Sequence, residues 1–257
     1  MSIFKGFLKG VHSYSKAIRF ISRNKLSWFF IFPLLLNILL FWVEYSWIAD
    51  LSDTLKLGMG NWISGIDYGF VNNEYVKNTF EFLLKTISII GFFLVFMSFG
   101  GYLIVAIMSP IFSIISEKTE KIITGKDYPF DFIQLLKDIV RGVFLALRNI
   151  TKQLLISILL FVLSFVPLLG FFTPVLLFLV SAYFFGFSFM DYAIERQRLG
   201  VKDSVKYMRD NKGLVIGNGI VFALLLLVPF CGVFLSTFAA IVSVVAGTLL
   251  VAAKNQE

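Results

Sequence analysis

The sequence holds one cysteine, Cys231, and one histidine, His12. A lone cysteine excludes an intramolecular disulfide and any cysteine-based metal cluster. A lone histidine has no partner with which to share a metal. Charge is scarce too, at 15% of 257 residues against about 25% in soluble domains. Two blocks, residues 154–190 and 214–253, contain no Asp, Glu, Lys or Arg at all. Such a chain has too little polar surface to cover a water-exposed globule. Also missing are a phosphate-cradling glycine loop with its lysine, H-E-x-x-H and G-x-S-x-G. No catalytic residue, metal, cofactor or nucleic-acid partner is therefore expected. An intramembrane hydrolase or proton-coupled pump would need ionisable groups at depth, and the charge-free blocks offer none.

What is abundant is apolar: 58% hydrophobic residues, 31 of them phenylalanine. The class expected is an all-α integral membrane protein forming one membrane domain over residues 1–257. Residues 1–23 read as an amphipathic interfacial helix. Lys5, Lys9, His12, Lys16, Arg19 and Arg23 step by four and three along one polar face, with Ile3, Phe4, Phe7, Leu8, Val11, Ile18 and Ile21 on the other. Residues 26–48 are a first span, belted by Trp28 at one end and Trp42, Tyr45 and Trp47 at the other. A polar segment, 49–85, leads to a second span with a polar helical extension, 86–125, which Gly125 ends. Residues 131–153 form another amphipathic stretch, and 191–213 another polar segment.

Basic residues set the orientation. Lys and Arg number six in 1–25, three in 49–85, seven in 109–153 and six in 191–213. The positive-inside rule puts both termini and the basic segments in the cytoplasm, and 49–85 outside. Blocks 154–190 and 214–253 must then leave and return on the same side. Each carries the pattern V-P-x-x-G-x-F, at 166–172 and again 62 residues later at 228–234. We read them as duplicated helical hairpins, with Pro167, Gly170, Pro174, Pro229 and Gly232 at the tips. The arm before Pro167 has 13 uncharged residues, about 20 Å of helix against about 30 Å of hydrocarbon. The hairpins are accordingly expected to be re-entrant and to penetrate only part of the bilayer. Short helices spanning a locally thinned bilayer are the alternative.

With no buried charge, helix ends remain as ligand sites. At "RNKLS", Asn24 or Ser27 would cap the first span, while Arg23 and Lys25 add positive charge beside its free N–H groups. An ordinary cationic membrane anchor is the competing reading of these residues. The candidate anion-binding set is Asn24, Lys25, Leu26 and Ser27. Arg23, Arg141 and Arg148 form a candidate basic interface.

Several segments together resemble the CysZ and etoposide-induced protein family. They are "FPLLLNILLF" (32–41), "SPIFSIISEKTEKIITG" (109–125), "LKDIVR" (136–141), "FVPLLGFFTPVLLFLVSAY" (165–183), "DY" (191–192) and "VPF" (228–230). The resemblance implies two full spans, two hemi-penetrating helical pairs and a homo-oligomer. It also implies a sulfate permease of the bacterial inner membrane, although eukaryotic relatives have other roles. Sulfate-transporting members resemble G-[IL]-R-R-F where this chain has Lys25-Leu26-Ser27-Trp28-Phe29, so the expected arginine pair is absent. Losing two charged hydrogen bonds, at about 1.5–3 kcal/mol each, would weaken sulfate binding by roughly 10²–10⁴-fold. The expected function is permeation of a small anion, sulfate included. The alternative is a non-transporting protein that organises lipid or partner proteins.

Overall fold

A computed structural model describes residues 2–39, 42–43, 75, 79, 82–83, 86, 106–125, 132–197, 199–228 and 232–254. Among them secondary structure is entirely helical. Met1–Pro33 with Ile104–Glu257 makes one compact unit, and Leu34–Leu103 a second. In the second unit the described residues are helical, with Thr79 and Thr86 hydroxyls donating to the carbonyls of Tyr75 and Phe82 at 2.7 and 2.8 Å. The rest of the expected external segment, the end of the first span and most of the second lie outside the described residues.

In the first unit, α1 runs Ile3–Arg23. Ser2 caps it, its hydroxyl accepting from the Lys5 N–H at 3.3 Å. A 3₁₀ turn, Leu26–Phe30, leads into α2, residues 31–39, of which 34–39 belong to the second unit. The helix α3 covers residues 106–124 and ends at Gly125, whose φ of 71° suits a residue without Cβ. Next come α4 (Phe132–Leu163), α5 (Pro167–Arg196), α6 (Val201–Asp210), α7 (Lys212–Leu226) and α8 (Gly232–Lys254).

The hairpin arms differ from expectation. The amphipathic stretch and the first arm form one helix, α4, of 32 residues and about 48 Å. No proline or glycine after Gly142 breaks it before the turn. Helix α5 likewise continues past the charge-free block to Arg196, so Asp191 and Glu195 belong to it rather than to a polar segment. Among the described residues, three stretches are consequently long and apolar enough to cross a membrane: Val140–Leu163, Leu169–Arg196 and Phe234–Lys254. Length alone therefore does not make the first hairpin re-entrant. In the second hairpin α7 is short, 15 residues or about 22 Å.

The tips are also placed differently. The first turn is Ser164-Phe165-Val166, and Pro167 opens α5, where its fixed φ suits the first helical position. Gly170 and Pro174, expected at the tip, lie inside α5. Gly170 is needed because a Cβ there would run into the Ser164 carbonyl oxygen. Gly232 begins α8 and packs in the same way on the Leu225 carbonyl; Pro229 lies outside the described residues. The two turns match bond for bond at the 62-residue offset. Val166 N–H donates to Leu163 O and Val228 N–H to Leu225 O, both at 3.1 Å. Gly170 N–H reaches Val166 O at 2.8 Å, and Gly232 N–H reaches Val228 O at 2.9 Å.

Helix α7 is the hub, packed between α1 and α5 and touching α8. Without a hydrophobic driving force in lipid, helices associate through close packing of small residues. Here Gly6 and Gly10 of α1 are buried with Gly213 and Gly217 of α7, each pair four residues apart. On the other side Ala182 and Gly186 of α5 meet Gly219 and Val215. An aromatic series locks α3, α5 and α7 together: Phe112 to Phe189 at 6.0 Å, Phe189 to Phe222 at 5.0 Å and Phe185 to Phe222 at 4.7 Å. Helix α8 is mostly buried, whereas α4 presents a wall of exposed apolar side chains such as Phe144, Leu147, Leu155, Leu159 and Phe161.

Candidate functional site

The junction between α1 and the 3₁₀ turn, with the first two residues of that turn, carries the four candidate anion-binding residues. Asn24 ends α1: its backbone N–H and its Nδ2 both donate to the Phe20 carbonyl, at 3.1 and 2.8 Å. The side chain thus closes the preceding helix and does not cap the following one. Lys25 is exposed and sits in the left-handed region with φ 56°, alone among described non-glycine residues. That conformation costs an L-residue roughly 1–2 kcal/mol. Leu26 is buried, Ser27 and Trp28 are exposed. Neither Ser27 nor Lys25 supplies a side-chain cap to the turn.

A cation does reach this loop from elsewhere. Lys118 on α3 holds its Nζ 5.0 Å from the Trp28 ring centre and 5.4 Å from that of Phe29. Such stacking contributes about 0.5–1 kcal/mol at an exposed site. Trp28 thus acquires a lysine from a second helix.

Next to Lys118, three of the segments that carry the family resemblance converge on the end of α5. Arg141, closing "LKDIVR", donates from Nη1 to Asp191 Oδ2 at 3.1 Å and from Nη2 to Oδ1 at 3.0 Å. Its Nη2 also reaches Ser204 Oγ at 2.6 Å, and Glu195 lies 3.6 Å from Nη1. Five residues after Asp191, Arg196 donates to Glu117 Oε2 at 2.9 Å and to the Ser113 carbonyl and hydroxyl at 2.9 and 2.7 Å. Tyr192 donates to Ser109 Oγ at 3.0 Å. Two arginine clasps thus tie α4 and α6 to α5, and α5 to α3. Both are partly buried, and the first is a two-pronged arginine–carboxylate pair, which is strong and geometrically exacting.

The basic interface set divides. Arg23 is exposed in the last turn of α1, favourable for the helix dipole. Arg141 spends its charge inside the clasp. Arg148 is half-buried, bonded to Asn149 Oδ1 at 2.8 Å with its guanidinium 5.9 Å from the Phe187 ring. Lys118, Glu117, Asp191, Glu195 and Arg196 were not among the candidates. A helix continued past Met190 would have put Asp191 and Glu195 on one face, a signal the end of the charge-free run obscured.

At the corner between α6 and α7, Asn211 Nδ2 donates to Tyr207 O at 2.8 Å, and its Oδ1 accepts from Lys254 Nζ at the end of α8. Burial pushes the Tyr207 phenol up to about 12. Burial also raises Tyr14 of α1, whose hydroxyl donates to the Asn218 carbonyl and lies 2.6 Å from Ser243 Oγ. A cavity of about 260 Å³ beside this corner is lined by Ser2, Arg209, Asp210 and Lys212 among others. Its acidic residue makes it a mixed-charge notch.

Among the described residues the body is all-helical, and its helices of spanning length with an exposed apolar wall define an integral membrane protein. Comparison with known proteins gives its kin. The model of the family described as "Sulfate transporter CysZ/Etoposide-induced protein 2.4" matches residues 13–236, and the chain belongs to that family. It is 26% identical over 227 residues to a protein named Sulfate transporter CysZ from Pectobacterium atrosepticum, covering 86% of this chain and 78% of the relative. A Pseudomonas aeruginosa protein of the same name is 26% identical over 228 residues, 86% and 87% of the two chains. One from Salmonella typhi is 25% identical over 236 residues, 90% and 88%.

Proposed function

We propose that this protein is a permease or channel-like transporter of a small inorganic anion, with sulfate the first candidate. The observation that carries this reading is the family match across residues 13–236, with relatives that bear the name of sulfate transporters. We place it in the bacterial inner membrane as a homo-oligomer, with both termini cytoplasmic.

In this reading both hairpins are re-entrant. Gln153 Nε2 meets Ser181 Oγ at 3.2 Å, which sets α4 and α5 in register one residue beyond the exposed Lys152. With Lys152 at the headgroups, the hairpin projects only about 20 Å further to its turn, short of the about 30 Å of hydrocarbon. Phe161, Phe165, Phe171 and Phe172 around that turn are all exposed, as suits lipid or a second copy. Uncharged arms fit passive permeation, in which no proton relay is required.

One observation favours the alternative, a non-transporting organiser of lipid or partners. Asn24 is committed to Phe20 and Leu26 is buried, so the loop lacks two of its four candidate donors. Sulfate uptake by liposomes containing the purified protein separates the readings. Transport predicts saturable uptake, reduced by Lys25→Ala and raised by Ser27→Arg with Trp28→Arg. Uptake no greater than in protein-free liposomes, for wild type and the double-arginine variant alike, would reject the permease.

A further inference from the structure

The burial of α1 divides its surface into three faces rather than two. At 100° per residue, the buried Gly6, Gly10, Ser13, Tyr14, Ala17 and Ile21 occupy one third of the circumference. They pack on α7 and α8. The second third carries Phe4, Leu8 and Ile18, exposed at 69, 50 and 57%, large apolar side chains that the protein leaves uncovered. The last third carries Lys5, Lys9, His12, Lys16, Arg19 and Arg23, all exposed, and α1 contains no acidic residue. Protein, apolar and cationic faces follow one another around the helix.

From this arrangement we propose that α1 is a docking helix for anionic phospholipid, its cationic face holding headgroup phosphates and its apolar face lying on the acyl chains below them. A dissolved anion would need the cations but not the neighbouring apolar stripe, and a neutral lipid the stripe but not the cations. Only a lipid with a net negative headgroup uses both at once. The site is independent of whether the protein carries sulfate.

The test is native mass spectrometry of the full-length protein in micelles with equimolar phosphatidylglycerol and phosphatidylcholine. Wild type should retain the anionic lipid over the zwitterionic one by at least about tenfold. A Lys5→Gln, Lys16→Gln, Arg19→Gln variant should fall to about threefold or less, while a Lys202→Gln, Lys206→Gln, Arg209→Gln variant, altered on α6 instead, keeps the wild-type ratio. All six positions are exposed, so neither triple disturbs the packed interior. Equal retention of the two lipids by wild type would overturn the proposal, as would an equal loss in both triples. A change of oligomeric state in the α1 triple with its lipid ratio intact would assign the face to a second copy of the chain, and would overturn it too.

Discussion

Gly10 and Gly217 face each other across the α1–α7 contact with no room for a methyl group on either. A Cβ on Gly10 would lie 2.8 Å from the Gly217 Cα, and one on Gly217 would lie 3.0 Å from the Gly10 Cα. Gly217→Ala should therefore destabilise the protein by about 1–3 kcal/mol, the usual effect of overpacking. Gly142→Ala, where nothing lies within 4 Å of the new Cβ, should be neutral or stabilising by up to about 1 kcal/mol through helix propensity. Unfolding in an SDS titration would report both, and equal effects would refute the close contact.

The Arg141–Asp191 clasp should behave as a unit. Removing one partner of a buried pair strands the other charge and costs about 3–5 kcal/mol. Arg141→Leu and Asp191→Leu should each reach that range, and the double variant should cost clearly less than their sum. The same titration measures the coupling. Additive effects would mean that the pair contributes nothing jointly.

Lys25 offers a separation of strain from charge. Lys25→Gly removes the ammonium and relieves the left-handed backbone, so the protein should gain about 1–2 kcal/mol. Lys25→Ala removes the ammonium and keeps the strain, so it should gain nothing. If the ammonium holds the anion, both variants lose sulfate uptake alike despite their different stabilities.

Depth of the first turn is open to thiol chemistry. Gly170 cannot accept a side chain, but Phe171 is 80% exposed. In a Cys231→Ser background, Phe171→Cys should resist a membrane-impermeant thiol reagent applied from outside, while Ser64→Cys reacts quickly. Equal rates would mean that the hairpin crosses fully.

Alkaline pH should unfold the protein through two phenols. Tyr207 and Tyr14 have folded pKa values raised above an unfolded value of about 10. Their contribution to stability is complete below about pH 10 and is lost as pH rises through the folded values. Thermal unfolding measured from about pH 9 to about pH 12 should show that fall, and Tyr207→Phe should make it shallower. Near-ultraviolet absorbance should show Tyr207 ionising late.

Periodicity and charge made the class legible, because a 37-residue block without charge has few other uses. The V-P-x-x-G pair was legible as well, and its copies form equivalent hydrogen bonds. The arm lengths were not, since a change from amphipathic to apolar composition marks no helix boundary unless a breaker accompanies it. None separates Lys152 from Leu154. The glycine seam had a local signature, Gly6 with Gly10 and Gly213 with Gly217, but spacing alone does not say which helix faces which. Asn24 illustrates the limit for the loop. An amide between two helices can close the first or open the second, and only the position of the Phe20 carbonyl decides.

The packing of α1 on α7 and α8 sets an order of events during biogenesis. Helix α1 is made well before its partners α7 and α8, so its glycine face must wait for the ribosome. From Arg23 to Lys212, at roughly 5–20 residues per second, that delay is about 10–40 s. A hydrophobic span would spend it buried in the bilayer, and an ordinary soluble helix would spend it exposed to chaperones and proteases. A helix with one cationic and one apolar face can spend it moored at the membrane surface, ready to close the bundle when the second hairpin arrives.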